Sequence, residues 1–261
     1  MSERLVVEKR GAIGWITFNQ PEKRNAVSVD MWEAIPAALE SFAADAEVRV
    51  VALRGAGDKA FVSGADISQF DKQRSGAAAV RHYDEIAERA QSMLYAFDKP
   101  TVAVIRGYCL GAGLNIALCC DLRIAADDAR LGIPAARMGL GYRATSTKNL
   151  VDTVGAANTR EILITARQYA ADEAKAIGLV HRVVPAAGLV DAAQELLAEI
   201  AANAPLTMAS AKFIVRELLK AHAGFDAAAC AATVKRCFDS ADYREGRTAF
   251  MAKRRPVFRG E

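Results

Sequence analysis

The chain has 261 residues, 52% of them hydrophobic and 25% charged, enough apolar side chain for a large buried core. Its net charge of +3, from 34 basic and 31 acidic residues, is too small to argue for nucleic acid and suits an anionic small ligand. No run approaches the roughly 18 apolar residues of a membrane span, three histidines argue against a histidine-rich metal centre, and five cysteines without paired spacing read as reduced core thiols.

Residues 1–10 open on a strand pattern at 5–8 rather than on a charged-then-apolar targeting segment, so the cytoplasm is the expected compartment. Further strands are expected at 13–18, 48–54, 101–106, 122–125 and 179–184. Those at 48–54 and 101–106 are β-branched and almost continuously apolar, as in strands covered on both faces. Helical periodicity marks 29–44, 77–97, 113–120, 148–154, 159–165 and 172–177. The stretch 186–253 reads as helical almost throughout, with breaks near 203–205 and 223–224. This order predicts an α/β core over residues 1–185, ended at Pro185, and a helical C-terminal region over 186–261.

Two loops carry the chemical signal. One is Phe61-Val62-Ser63-Gly64-Ala65-Asp66-Ile67; the other is Gly107-Tyr108-Cys109-Leu110-Gly111-Ala112-Gly113-Leu114-Asn115. The second follows a buried-type strand and runs into an apolar helix. That order leaves free main-chain N–H groups at the positive end of the helix dipole. Small residues let a ligand approach the backbone, and such an arrangement can hold an oxyanion. The glycine spacing is neither GxGxxG nor a P-loop. Taken on the glycines alone, a tight strand–helix turn is the competing reading.

Several segments in fixed order resemble the crotonase superfamily, also called enoyl-CoA hydratase/isomerase. They are Asn19-Gln20-Pro21-Glu22-Lys23-Arg24-Asn25-Ala26, Ser63-Gly64-Ala65-Asp66-Ile67, residues 107–121, Ala176-Ile177-Gly178-Leu179-Val180 with Val183-Val184-Pro185, and residues 245–254. The resemblance covers nearly the whole chain. It implies an α/β fold, a spiral of ββα units with a C-terminal helical trimerisation region, and self-association as a homotrimer or a hexamer built from two trimers. It also implies an acyl-CoA thioester as ligand, coenzyme A entering as part of the substrate, and no tightly bound cofactor or metal. The main-chain N–H groups of Ala65 and Ala112 are the implied oxyanion hole; many members have glycine at the position of Ala112, and a backbone donor survives that change. Coenzyme A is expected along Arg24, Ala26, Ser63, Gly64, Asp66 and Ile67, with Gly111 and Gly113 shaping the second loop. Phe250 and Lys253 match positions that reach the coenzyme A of a neighbouring subunit.

The sequence departs from the family where hydration needs acid–base groups. The two glutamates of typical hydratases fall on Asn115 and Ala135, and the usual isomerase carboxylates fall on Ala135 and Arg143. Asn115 can orient a water but cannot act as a base near neutral pH, and Ala135 can do neither. Asp66 is read as holding its turn. A hydratase-like lyase remains the name that the resemblance suggests. Decarboxylation of a malonyl-type thioester, or thioester hydrolysis, is the alternative, because loss of CO₂ generates an enolate without a base. A decarboxylase branch of the family carries tyrosine at the position of Tyr142 but histidine at that of Ala65, and Arg143 is placed to pair with a substrate carboxylate. His82 is expected on a solvent-facing or structural position, with Arg81 and Tyr83 beside it, while Arg137 is left unassigned. A non-catalytic coenzyme A or RNA binder is the other class of reading; the basic run Lys253-Arg254-Arg255 supports RNA poorly.

Overall fold

The computed structural model describes residues 2–66, 77–203, 205–219, 235, 238–254 and 256. The chain forms two compact units, one of residues 1–131 with 169–218, the other of 132–168 with 219–261.

The first unit is built on a sheet of β1 (Leu5–Arg10), β2 (Ile13–Phe18), β3 (Val50–Gly55), β5 (Thr101–Ile105), β7 (Leu122–Ala126) and β10 (Arg182–Val184), in that spatial order. Only β1 and β2 are antiparallel; the later neighbours all run parallel. Parallel neighbours need a crossover, and here the crossovers are helical. Every residue of β5 is buried, as its unbroken apolar run predicts. One sheet face carries Trp15, Val50, Ala52, Val102, Val104, Ile124 and Ala126, and these pack on Leu189, Ala193, Leu197 and Ile200 of α6 (Leu189–Ala202). The spacing of those four α6 residues is the stripe that a core-facing helix requires. Helix α1 (Val29–Ala44) packs against α2 (Ala77–Ala96), and the indole N–H of Trp32 donates to the buried Tyr83 hydroxyl at 3.0 Å.

A second sheet, which the sequence pattern does not predict, joins β4 (Ala60–Val62), β6 (Tyr108–Leu110), β8 (Arg130–Gly132) and β9 (Tyr169–Ala170). Its strands are only two or three residues long, too short for any periodicity to register. Helix α3 (Ala112–Cys119) follows β6 and packs against β4, β6 and α2.

In the second unit, a 3₁₀ turn (Pro134–Met138) precedes α4 (Ala144–Thr165), which breaks at Gly155 as the two expected helices at 148–154 and 159–165 require. Helix α8 (Ala241–Met251) lies on the turn so closely that a Cβ at Gly246 would stand 2.1 Å from the Met138 carbonyl oxygen. Arg254 forks onto Glu245 at 2.6 and 2.8 Å. The compact units thus do not follow the expected division at residue 185. Helices α5 (Ala171–Ala176), α6 and α7 (Pro205–Leu218) belong with the sheets, since the α6 stripe is buried on them and Lys212 of α7 donates to Asp121 at 2.6 Å and to the Lys99 carbonyl at 2.7 Å. The break expected at 203–205 is present, and the one expected at 223–224 lies outside the described residues. Among the described residues, no helix is long and apolar enough to cross a membrane.

One edge contact makes stability depend on pH. His181 Nδ1 accepts the main-chain N–H of Arg123 at 3.1 Å, and the His181 N–H donates to the Arg123 carbonyl at 3.0 Å. Burial, and then the Arg123 guanidinium, push the imidazole below its ordinary value of 6.5. The unfolded chain therefore binds the proton more readily than the native one. The stabilisation is full above pH 6.5 and is lost as the pH falls below it. Thermal melts between pH 7.5 and 5.5 are expected to fall more steeply for the wild type than for His181→Gln, whose amide oxygen can accept the same N–H without titrating. Parallel pH profiles would refute this.

Candidate functional site

Strands β4 and β6 are parallel neighbours, so the segments that leave them, 63–66 and 111–112, emerge side by side. Segment 63–66 is held from one side by the loop at 20–28. The Ser63 N–H donates to the Arg24 carbonyl at 3.1 Å, Val27 N–H to Gly64 at 2.8 Å, and Asp66 N–H to Val27 at 2.9 Å. In this parallel bridge of Val27 with Ala65, the bonds come from residues 64 and 66, so the N–H and C=O of Ala65 point away from Val27. On the other side lies the second loop. A Cβ built on Gly111 would stand 3.9 Å from the Gly64 Cα, and one built on Gly64 would stand 3.8 Å from the Leu110 carbonyl oxygen. Both glycines have positive φ, 126° at Gly64 and 53° at Gly111, which any other residue would adopt at a cost.

Helix α3 starts at Ala112, and its first internal bond is from Asn115 N–H to the Gly111 carbonyl, at 3.1 Å. The N–H groups of Ala112, Gly113 and Leu114 therefore have no partner within the helix and carry the positive end of its dipole. Gly113 fixes where this end lies. A Cβ there would stand 2.1 Å from the Val62 carbonyl oxygen, so only glycine lets the helix press onto the end of β4. Ala65 and Ala112 thus offer main-chain donors from adjacent loops, a geometry able to stabilise an oxyanion.

The frame around these donors is polar and buried. The Asp66 carboxylate accepts from Lys23 Nζ at 2.8 Å and from Gln20 Nε2 at 3.5 Å. The fully buried Asn25 accepts the Gln20 N–H at 3.0 Å and donates to the carbonyls of Ala56 and Ala60 at 2.9 and 2.7 Å. Arg24 and Asn25 are both left-handed, with φ of 52° and 55°, and the Arg24 guanidinium lies 5.1 Å over the Tyr108 ring. The structure therefore brings Arg24, Ala26, Ser63, Gly64, Ala65 and Asp66 together, with Gly111, Ala112 and Gly113 alongside. Ile67 lies outside the described residues. Asn115 is buried on α3, at 6% exposure.

The other candidates belong to the second unit. Ala135 is buried in the 134–138 turn, and its carbonyl accepts the Leu140 N–H at 3.0 Å. Tyr142 and Arg143 are partly buried, and Arg143 caps α4 by accepting the Thr147 N–H at 2.8 Å. Phe250 and Lys253, at the end of α8, are exposed, as is Arg137. His82 is exposed on α2, while Tyr83 turns inward onto Trp32. Cys109 is fully buried and burial raises its thiol, in keeping with a core side chain. Sequence reasoning missed Arg123, an arginine inside the apolar strand Leu-Arg-Ile-Ala-Ala; that placement was the available signal.

The profile of the family described as enoyl-CoA hydratase/isomerase matches residues 8–261, and the chain belongs to that family. It is 32% identical to the short-chain-enoyl-CoA hydratase of Clostridium acetobutylicum over 251 residues, covering 96% of this chain and 95% of the relative. A crystal structure of an enoyl-CoA hydratase/carnithine racemase from Magnetospirillum magneticum superposes with a TM-score of 0.82 at 35% identity, over 100% of this chain and 97% of that one. Methylmalonyl-CoA decarboxylase superposes with a TM-score of 0.89 at 28% identity, over all of both chains. These matches carry the expected crotonase-like α/β fold.

The packing at Gly113 is directly testable. Gly113→Ala forces α3 off the Val62 carbonyl and should cost about 1–3 kcal/mol, several degrees in melting temperature. A variant that melts with the wild type would contradict the contact.

Proposed function

We propose that the chain binds an acyl-CoA thioester and stabilises its enolate, working as a lyase of the enoyl-CoA hydratase kind. The observation that carries this reading is the pair of main-chain donors, Ala65 and Ala112, on adjacent loops. When water adds at Cβ, or when a proton or CO₂ leaves Cα and the bonding pair stays behind, charge collects on the thioester oxygen. Fixed N–H groups stabilise that charge more than they stabilise the neutral carbonyl, which is what lowers a barrier. Arg24, Ala26, Ser63, Gly64, Asp66 and Ile67 are assigned to the coenzyme A side of the site. Phe250 and Lys253 reach the coenzyme A of a neighbouring subunit in a trimer or a pair of trimers, as the family resemblance implies. Coenzyme A is part of the substrate, no tightly bound cofactor takes part, and the compartment is the cytoplasm.

Removing one donor tests the reading without removing the helix. Ala112 is the first residue of α3, where proline is tolerated because its missing N–H has no intrahelical partner. The preceding Gly111, at φ 53° and ψ −112°, is outside the helical region that a following proline disfavours. Ala112→Pro should fold and bind butyryl-CoA, yet lose about 10²–10³-fold in turnover. Absence of calorimetric binding of acetyl- or butyryl-CoA to the wild type at millimolar ligand would sink the whole reading.

A second reading is favoured by the uncharged pair Asn115 and Ala135, neither of which can serve as a base. In a malonyl-type thioester the bond from Cα to the carboxylate breaks, CO₂ departs, and the electron pair forms the enolate, which then takes a proton at Cα. The likeness to methylmalonyl-CoA decarboxylase supports this reading. Tyr142 would orient the carboxylate and Arg143 would pair with it. Incubation with enoyl-, malonyl- and β-ketoacyl-CoA esters, followed by mass spectrometry, separates gain of water from loss of CO₂. Decarboxylation should fall in Tyr142→Phe; hydration of crotonyl-CoA at ordinary enzyme rates would eliminate the second reading.

A further inference from the structure

Arg123 is 5% exposed, at the second position of β7. A charge buried to this degree costs stability unless its donors are satisfied, and an apolar residue would fill the space without that cost. Its donors go to main-chain carbonyls. Nε–H donates to Leu179 at 2.8 Å, and Nη1–H donates to Cys120 at 2.8 Å and Ala117 at 3.3 Å. Two of those carbonyls belong to the C-terminal end of α3, where C=O groups lack the i+4 N–H partners of a helix interior and the dipole is negative. The opposite end of the same helix carries the Ala112 N–H. Because α3 has only eight residues, it spans about 12 Å and moves as one piece.

We propose that Arg123 is a positioning residue for the oxyanion hole, an assignment that rests on the enolate reading above. Its guanidinium clamps the C-terminal carbonyls of α3 to the Leu179 segment, while Gly113 is stopped against Val62 at the other end. The helix is thereby fixed along its axis, and the height of the Ala112 donor with it. The charge acts as well. It offsets the negative pole of α3 and leaves the positive pole facing the ligand. A unit charge about 12 Å away in a protein interior favours an enolate by on the order of tenfold. The carboxylate of Asp121, two residues before it in the chain, is already engaged by Lys212 and by the N–H and hydroxyl of Thr101.

The test compares two ligands by calorimetry: butyryl-CoA, a neutral thioester, and 2-nitropropionyl-CoA, whose nitronate anion is delocalised over the nitro group and onto the thioester oxygen, where the enolate carries its charge. The wild type is expected to prefer the nitronate. In Arg123→Met that preference should fall by about fivefold or more, with butyryl-CoA affinity nearly unchanged. An arginine with a merely structural role would weaken both ligands together or neither, and that result overturns the assignment. Where Arg123→Met gives no folded protein, Arg123→Lys decides. It keeps the charge but cannot reach three carbonyls, so the preference should fall, and an unchanged preference overturns the clamp. A wild type that binds both ligands equally would instead remove the enolate reading, and the role of Arg123 with it.

Discussion

The contact between Gly113 and the Val62 carbonyl sets the geometry on which the candidate site depends. Since a Cβ at residue 113 would stand 2.1 Å from that oxygen, the first turn of α3 and the end of β4 share one boundary without a side chain between them. Strand β4 then hands the chain to Ser63–Asp66 beside the end of α3 whose first amides have no partner within the helix. Move the helix out by one methyl group and Ala112 shifts relative to the segment that carries Ala65. A site made of main-chain donors has little tolerance for such a shift, since the benefit of preorganised N–H groups falls away when they no longer point at the developing charge.

The second loop partner is held by a different physics. Arg24 and Asn25 occupy left-handed conformations that disfavour most residues, and the loop that contains them has no regular strand to follow. Asn25 compensates by taking one N–H and two carbonyls that would otherwise be buried unpaired. The buried Asp66 carboxylate accepts from the buried Gln20 and from the exposed Lys23. Together these bonds fix the loop at 20–28 against segment 63–66, and the alternation of that pairing turns the Ala65 amide outward from Val27. The polar residues thus serve as a frame for the main chain at Ala65.

Much of this was legible in the sequence, and the reasons differ by element. The strands at 13–18, 101–105 and 122–126 and the helices at 29–44 and 77–96 are long and periodic enough to be read directly. The second sheet was not, because strands of two or three residues leave no period. That sheet matters, since β4 and β6 are what place the two loops side by side. The end of the strand pattern predicts a division at residue 185, yet the apolar stripe of α6, Leu189-Ala193-Leu197-Ile200, is buried on the sheet. A helical run tells little about which surface it covers. Individual glycines could be noticed in the two loops, but which of them is in van der Waals contact with a carbonyl depends on neighbours distant in sequence.

The chemistry follows from what surrounds the donors. Backbone amides do not discriminate between routes to an enolate; they stabilise the charge however it arises. Discrimination has to come from side chains that deliver or remove a proton. Asn115 is buried on the donor helix and does not ionise near neutral pH, and Ala135 has no polar side-chain atom at all. On the proposed reading, a chain with this pair keeps rigid main-chain donors and carries no ionisable side chain at these two positions. Rigid donors are worth retaining only if charge still develops on the thioester oxygen. Reactions in which the substrate supplies its own electron pair, by releasing CO₂, place the least demand on acid–base side chains and the greatest on fixed main-chain donors.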